Sequence, residues 1–274
     1  MALFLVIAAG ILGSAIGSFL NVVVWRLPRN ESLVLPASHC PRCGHTIRWF
    51  DNIPILSWLV LRGRCRDCAE PISARYPAVE LATALAFAGV TTWMLLAQGP
   101  HTFSTLAGWI LCLVAFLVLA AISIALGLID LEVHRLPNPL VFFGYAAGAV
   151  LLTAVSLLEG EHGRLLSAAI GLAAMFVAYL VMALVYPGGM GFGDVKLAGV
   201  LGLYLGWLGF AELVVGAFSA FLLGGVFAVA MLIARKAGRK SGIPFGPWML
   251  AGAWVGILAG KYIAAWYLAL FGLT

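Results

Sequence analysis

Two aspartates stand at the ends of long apolar runs, where an ionisable side chain is costly. Asp194 follows the glycine-rich stretch 188–193 and opens one run, while Asp130 closes another. Charged groups at membrane depth usually pair with each other or line a wet cavity, which makes them candidates for a functional site. Two carboxylates in one site can divide the roles of general acid and general base. The pair therefore indicates acid/base hydrolysis, with Asp130 and Asp194 as the catalytic residues.

The two acids also allow three other interpretations. Each can be a helix-end residue solvated at the membrane interface, although the four glycines beside Asp194 favour a loop that a substrate backbone approaches closely. A proton-coupled transporter also uses paired acids and glycine-broken helices, but such carriers usually show repeated halves and midplane sites, and this sequence shows neither. An assembly scaffold that binds a partner through its polar loop is the third.

Four of the five cysteines occur as two Cys-x-x-Cys pairs in one polar segment, namely Cys40, Cys43, Cys65 and Cys68. The pairs are separated by 21 residues, slightly more than is usual for a two-pair zinc site. Each pair can present two thiolates, and together they complete a tetrahedral Zn²⁺ site that has no open position for catalysis. Two disulfides or a redox dithiol are the alternatives, although a reducing compartment disfavours disulfides. His39 and His45 are fallback ligands.

The composition indicates an all-α polytopic membrane protein. Hydrophobic residues make up 63% of the chain and charged residues 10%, against roughly 25% charged residues in soluble domains. Cys112, inside an apolar run, is most simply a small core residue. About eight transmembrane helices are predicted from runs of roughly spanning length, with an assumed turn over 206–212. These runs are 2–25, 78–97, 104–129, 139–158, 165–186, 195–210, 211–234 and 246–271.

The basic residues indicate how these runs cross the membrane. Loops 26–77, 130–138, 187–194 and 235–245, together with Lys196, hold fourteen of the sixteen lysines and arginines. Because basic loops stay in the cytoplasm, the N-terminus is predicted outside and both aspartates at the cytoplasmic face. The formal net charge of +5 therefore reflects membrane orientation and does not indicate nucleic-acid binding.

The same patterns divide the chain into three parts. Residues 1–25 are predicted to form the first transmembrane helix, and 26–77 a small cytoplasmic domain with a four-cysteine zinc site. Residues 78–274 are predicted to form a seven-helix membrane domain that carries the aspartyl site. A segment as short as 26–77 has little core of its own, so metal binding would stabilise its fold directly.

Further short motifs follow one another along nearly the whole chain. Besides the cysteine pairs, they are Gly17-Ser18-Phe19-Leu20-Asn21, Arg75-Tyr76-Pro77 with Glu80, Gly189-Met190-Gly191-Phe192-Gly193-Asp194 and Ile243-Pro244-Phe245-Gly246-Pro247. Through these motifs the sequence resembles the type 4 prepilin peptidase family. Its members are the bifunctional leader peptidases and N-methyltransferases of type IV pilus and type II secretion systems. The Gly-x-Gly-Asp element is shared with the wider class of intramembrane aspartyl proteases. Glu132 and Asn138 depart from the family pattern, where aspartate is frequent.

The resemblance implies an activity, a location and partners. Asp130 and Asp194 would cut a short basic leader from prepilins or pseudopilins, after a glycine, at the cytoplasmic face of the bacterial inner membrane. Zinc would organise the polar loop. The new N-terminus would then be methylated from S-adenosylmethionine, for which Glu80 is a candidate ligand, with an ion pair to Arg75 as its simpler interpretation. The expected partners are therefore pilin-type substrates and the lipid bilayer, without nucleic acid.

Overall fold

The computed structural model describes residues 1–98, 102–186, 190–234 and 244–272, and this part of the chain is helical, with two isolated β-bridges and no strand. The predicted all-α architecture is confirmed. Two short 3₁₀ turns, Leu27–Arg29 and Trp49–Asn52, lie between the first two helices. The helices are α1 (Ala2–Arg26), α2 (Leu56–Val60), α3 (Arg75–Ala97), α4 (Leu106–Val133), α5 (Asn138–Glu159), α6 (His162–Val185), α7 (Phe192–Leu208), α8 (Phe210–Ile233) and α9 (Gly246–Ala269).

Seven of the described helices are long and apolar enough to cross a membrane, namely α1, α3, α4, α5, α6, α8 and α9. The chain is therefore a multi-pass membrane protein, as its composition predicted. Helix α7 has 17 residues, which amounts to about 25 Å of helix against roughly 30 Å of hydrocarbon. Its place as the eighth span stays a prediction.

The two aspartates lie within their helices, whereas the apolar runs predicted them at the ends. Helix α4 continues past Asp130 to Val133, and the His134 N–H bonds to the Asp130 carbonyl at 3.0 Å. Helix α7 begins at Phe192, so Asp194 is its third residue. Apolar residues mark the hydrocarbon layer, but a helix ends only where its backbone hydrogen bonds end.

The junction between α7 and α8 is a single residue, Gly209, where the sequence predicted a turn over 206–212. Its φ of +156° with ψ of 169° is a conformation essentially restricted to glycine. A Cβ atom at this position would also lie 2.6 Å from Glu212 Oε2. Glycine therefore allows two long helices to follow each other without a loop.

The chain folds as two compact units. The first comprises Met1–Gly99 with Phe116–Ala125, and the second Pro100–Ala115 with Leu126–Thr274. Within the first unit α1 packs closely on α3, since a Cβ on Gly17 would lie 2.7 Å from Glu80 Cα. The three-part division predicted from the sequence, 1–25, 26–77 and 78–274, stays a prediction.

In the second unit, helix α7 is enclosed by protein. It packs against α5, α6, α8 and α9, and every residue from Leu197 to Trp207 is buried. The contact with α6 is close because glycines face each other, and a Cβ on Gly171 would lie 2.8 Å from Gly206 Cα. Small residues let helix backbones approach each other in membranes. This packing fixes the helix that carries Asp194.

Candidate active site and metal site

Asp130 lies near the end of α4 and is 5% exposed. Its Oδ2 accepts a hydrogen bond of 3.0 Å from the backbone N–H of Gly246, the first residue of α9. A Cβ on Gly246 would lie 2.6 Å from the same oxygen, so glycine is what lets the backbone come this close. The His134 side chain interacts electrostatically with the Asp130 carboxyl. The start of α9 thus orients a carboxylate that precedes it by 116 residues.

Asp194 is half-buried in the first turn of α7. Its Oδ2 accepts a hydrogen bond of 3.1 Å from the N–H of Gly191, and its own N–H donates to the Gly191 carbonyl at 3.0 Å. This reciprocal pair is a capping arrangement that starts the helix and fixes the carboxylate. Of the glycines predicted to border the site, Gly188 and Gly189 lie outside the described residues.

Both aspartates belong to the second unit, and their carboxyl groups lie within electrostatic range of each other. The Leu136 side chain lies beside both Gly193 and Gly246. A Cβ atom added to Gly193 would lie 3.1 Å from it, and one added to Gly246 would lie 3.5 Å from it. In each carboxyl group Oδ2 is held by a backbone N–H, and the described residues make no other hydrogen bond to either group. The remaining oxygens can therefore take up a water molecule or a peptide group.

The first turns of α7 are anchored to α5 through Lys196. Its Nζ donates to Asn138 Oδ1 at 2.9 Å, and its backbone carbonyl accepts a bond of 2.8 Å from the Tyr145 hydroxyl. The ammonium group also lies 4.9 Å from the Phe192 ring centroid, within the range of a cation–π contact. Helix α5 therefore holds α7 in place one half-turn from Asp194.

A tyrosine beside this site was missed by sequence reasoning. Tyr179 of α6 is 1% exposed, and its hydroxyl has no hydrogen-bond partner among the described residues. Its ring centroid lies 5.6 Å from that of Phe221 and 6.3 Å from that of Phe245. Tyr179 also interacts electrostatically with Asp194. No sequence signal marks it, because it is one aromatic residue among many in apolar helices.

The four paired cysteines converge in the first unit, with all their sulfur atoms within 4.8 Å of one another. Cys40 Sγ lies 3.7 Å from Cys68 Sγ. This separation matches the sulfur–sulfur distance in a tetrahedral zinc–thiolate site, which is about 3.8 Å when the Zn–S bonds are about 2.3 Å. All five cysteines are free thiols, and the converging group contains neither His39 nor His45. The residues fit Zn²⁺ as a structural metal, whose binding stays a prediction.

The backbone favours the thiolate form of one of these cysteines, Cys40. Hydrogen bonds from the backbone at Cys43 and Arg42 lower the pKa of the Cys40 thiol to about 6, and the thiolate is the form that binds metal. Each cysteine pair lies in a tight turn closed by a backbone hydrogen bond, from Gly44 to Cys40 at 2.9 Å and from Ala69 to Cys65 at 3.0 Å. We call these two turns the knuckles.

Three arginine–carboxylate pairs each join a knuckle residue to a residue outside the knuckles: Arg42 with Glu70, Asp67 with Arg48, and Arg66 with Asp51. The last is bidentate, with distances of 2.8 Å from Nε to Oδ2 and 2.6 Å from Nη2 to Oδ1. Hydrogen bonds from the Arg66 guanidinium lower the pKa of the Asp51 carboxyl, because they favour its charged form. Exposed ion pairs contribute little individually, so a metal bound by the four thiolates would supply much of the stability of this segment.

Glu80, the candidate cofactor ligand, already has a partner in the protein. It is 8% exposed, and its Oε2 accepts a hydrogen bond of 2.7 Å from the N–H of Ile55. Ile55 has φ of +62° and ψ of −51°, and the N–H of Leu56 bonds to the Pro54 carbonyl across it at 2.6 Å. Such a γ-turn is rare and strained at a β-branched residue. Glu80 therefore holds a strained part of the polar loop on α3.

Comparison with known proteins identifies the family. The model of the type IV leader peptidase family matches residues 117–229, and that of the bacterial peptidase A24 N-terminal domain matches residues 11–94. The prepilin leader peptidase/N-methyltransferase of Aeromonas salmonicida is 36% identical over 287 residues, which cover 93% of this chain and 90% of the relative. The chain belongs to the type IV leader peptidase family.

Other members of the leader peptidase family are similarly close. The prepilin leader peptidase/N-methyltransferase of Pseudomonas aeruginosa is 36% identical over 290 residues, covering 96% of this chain and 93% of the relative. The corresponding protein of Neisseria gonorrhoeae is 34% identical over 285 residues, covering 92% of this chain and 90% of the relative. No solved structure matches the chain. The resemblance predicted from the short motifs is confirmed, and it places the chain among enzymes.

Both candidate sites of this leader peptidase family member fall within the matched regions. The model of the leader peptidase family covers Asp130, Tyr179 and Asp194, and the N-terminal model covers the four paired cysteines and Glu80. Gly246 lies beyond residue 229, although it holds Asp130. The sequence analysis noted Gly246 only as part of a motif, and no sequence pattern shows which residue its N–H contacts.

Proposed function

We propose that this chain cleaves the leader peptide of type IV prepilins or type II secretion pseudopilins, with Asp130 and Asp194 as the catalytic pair. The observation that carries the proposal is two interacting carboxyl groups, each oriented by a glycine N–H. Family membership supports the reaction, since the relatives are named prepilin leader peptidase/N-methyltransferase. The basic loops support a site at the cytoplasmic face of the bacterial inner membrane, with the N-terminus outside.

The two acids divide the hydrolysis between them. Like charges at short distance disfavour double ionisation, so such a pair holds one proton. The ionised carboxylate takes a proton from water as the water oxygen bonds to the scissile carbonyl carbon. The protonated carboxyl then donates its proton to the leaving nitrogen as the C–N bond breaks. The products are a leader with a free carboxyl group and a pilin with a free amine.

Two further parts of the function belong to the proposal. The cysteine cluster binds one structural Zn²⁺. The new pilin N-terminus receives a methyl group, since the relatives are named N-methyltransferases, and S-adenosylmethionine is the proposed donor. The methyl donor has no residue assigned to it here, because Glu80 is buried and its carboxylate is engaged by Ile55. Zinc with four thiolates has no open position, so its role is to organise the polar loop.

The test is mass spectrometry of a prepilin coexpressed with Asp130→Asn or Asp194→Asn. Loss of a general acid or base costs about 10²- to 10⁴-fold in rate, so each variant should leave the prepilin uncleaved at normal enzyme levels. Glu132→Gln is the matched control, because it removes an exposed acid at the same end of α4, and it should cleave normally. Unchanged cleavage by both asparagine variants would exclude the pair. The same spectrum reports the added methyl group.

A further inference from the structure

Tyr179 carries a polar group that the pair mechanism does not use. Its hydroxyl is enclosed in the protein and bonds to nothing in the described part of the chain. Buried polar groups nearly always find a partner, because an unpaired donor costs stability. A hydroxyl without a partner in the described residues is available to a ligand that comes within its reach. The ring itself is well held between Phe221 and Phe245.

The Tyr179 side chain lies near residues of both acid environments. Phe245, one of its ring neighbours, directly precedes Gly246, whose N–H holds Asp130. On the other side, Tyr179 is close enough to Asp194 for the two side chains to interact electrostatically. All these residues belong to the second unit. The phenol is thus a neutral hydrogen-bond donor next to the site where the scissile peptide has to lie.

We infer that Tyr179 is a third catalytic residue, whose hydroxyl donates a hydrogen bond to the carbonyl oxygen of the scissile peptide. The inference rests on the proposed cleavage. When water attacks the carbonyl carbon, the C=O electrons move onto the oxygen, which then needs a donor. The backbone N–H groups of Gly191 and Gly246 are already taken by the carboxylates, and the Lys196 ammonium is bonded to Asn138. The Tyr179 hydroxyl is a donor that has no other partner in the described part of the chain.

An unpaired hydroxyl suits this role. A donor that is already in place stabilises developing charge strongly, because little reorganisation is needed during the reaction. The Tyr179 hydroxyl has no acceptor among the described residues that it would have to give up. Phe221 is the exposed ring beside it, at 42% exposure, so displacement of this ring would admit the substrate. The phenolic proton stays on the Tyr179 oxygen throughout. Its hydrogen bond to the substrate weakens again when the C–N bond breaks and the C=O bond re-forms.

The test is steady-state cleavage of a purified prepilin by Tyr179→Phe, which removes the hydroxyl and keeps the ring. Loss of such a donor lowers kcat by about 10²- to 10³-fold, and KM should change little. Because the hydroxyl is unpaired in the free enzyme, the melting temperature should not fall. Tyr204→Phe is the matched control, since Tyr204 is equally buried but lies ten residues beyond Asp194 on α7, about 15 Å along the helix axis; it should keep kcat.

The outcomes separate the inference from the proposed function. If the wild-type enzyme leaves the prepilin intact, the cleavage proposal is wrong and the role of Tyr179 falls with it. If the wild-type enzyme cleaves and Tyr179→Phe keeps its kcat, only the role of Tyr179 is wrong. A lower melting temperature with an equal loss in Tyr204→Phe would show that the hydroxyls act on folding alone, and would also overturn the inference.

Discussion

Two glycines orient the candidate acids through their backbone N–H groups. Gly246 holds Asp130 and Gly191 holds Asp194, each through Oδ2. A backbone donor in a helix start has no side-chain torsions to fix, so it orients a carboxylate at less entropic cost than a long side chain would. The contact at Gly246 also leaves no space for a Cβ atom, which would lie 3.2 Å from Asp130 Cγ.

Gly246→Ala should therefore slow the reaction although neither aspartate is replaced. The added methyl group displaces the Asp130 carboxyl from its bond to the backbone, and a misplacement of about 1 Å can cost about 10²-fold in rate. We expect a loss of this size in prepilin cleavage, measured with purified enzyme. Gly225→Ala is the control, because a Cβ there meets nothing within 4 Å. Equal activity of the two alanine variants would show that the Gly246 contact does not position Asp130.

Among the structural elements, the polar loop between α1 and α3 depends most on a partner outside the protein chain. Its knuckles carry the converging sulfur atoms, and its ion pairs lie at the surface. Such a segment has too few buried side chains to offset the entropy of its own ordering. A metal bound by the four thiolates would link the two knuckles and offset this entropy.

Cys40→Ser should release this metal. We expect elemental analysis to give one zinc per wild-type chain and none in the variant, and limited proteolysis to cut the loop 26–77 faster. Cys112→Ser is the matched control, because Cys112 is buried and lies outside the converging group; it should keep its zinc. A wild-type chain without zinc, or a Cys40→Ser variant that retains it, would contradict the assignment.

Helices were predictable from the sequence, and contacts between distant helices were not. Long apolar runs predicted every helix from α3 to α9 to within a few residues. In lipid a segment has to satisfy its backbone hydrogen bonds internally, so such a run folds as a helix. The acids stood out because charge is rare there. The bond from Gly246 to Asp130 spans 116 residues, and the placement of Tyr179 depends on how α6 faces α8 and α9. Neither leaves a periodic pattern in the sequence.

For the whole molecule, the decisive element is α7. It is shorter than the hydrocarbon layer, yet its residues from Leu197 to Trp207 are buried by other helices of the second unit. A helix enclosed by protein need not match the bilayer thickness by itself, because its ends meet other helices before they meet lipid. We therefore propose that helix α7 crosses as the eighth span, which would place Asp194 just beneath the cytoplasmic surface.

The crossing of α7 fixes the side of every later segment, so fusions of alkaline phosphatase test it. This reporter needs disulfides and is active only outside the cytoplasm. With eight spans and the N-terminus outside, a fusion after Ala234 should be inactive and a fusion after Gly272 active. If α7 does not cross, both results are reversed, and the four basic residues of 235–243 would lie outside, against the positive-inside rule. A fusion after Gly160 is the control, because it precedes α7 and should be active in either case.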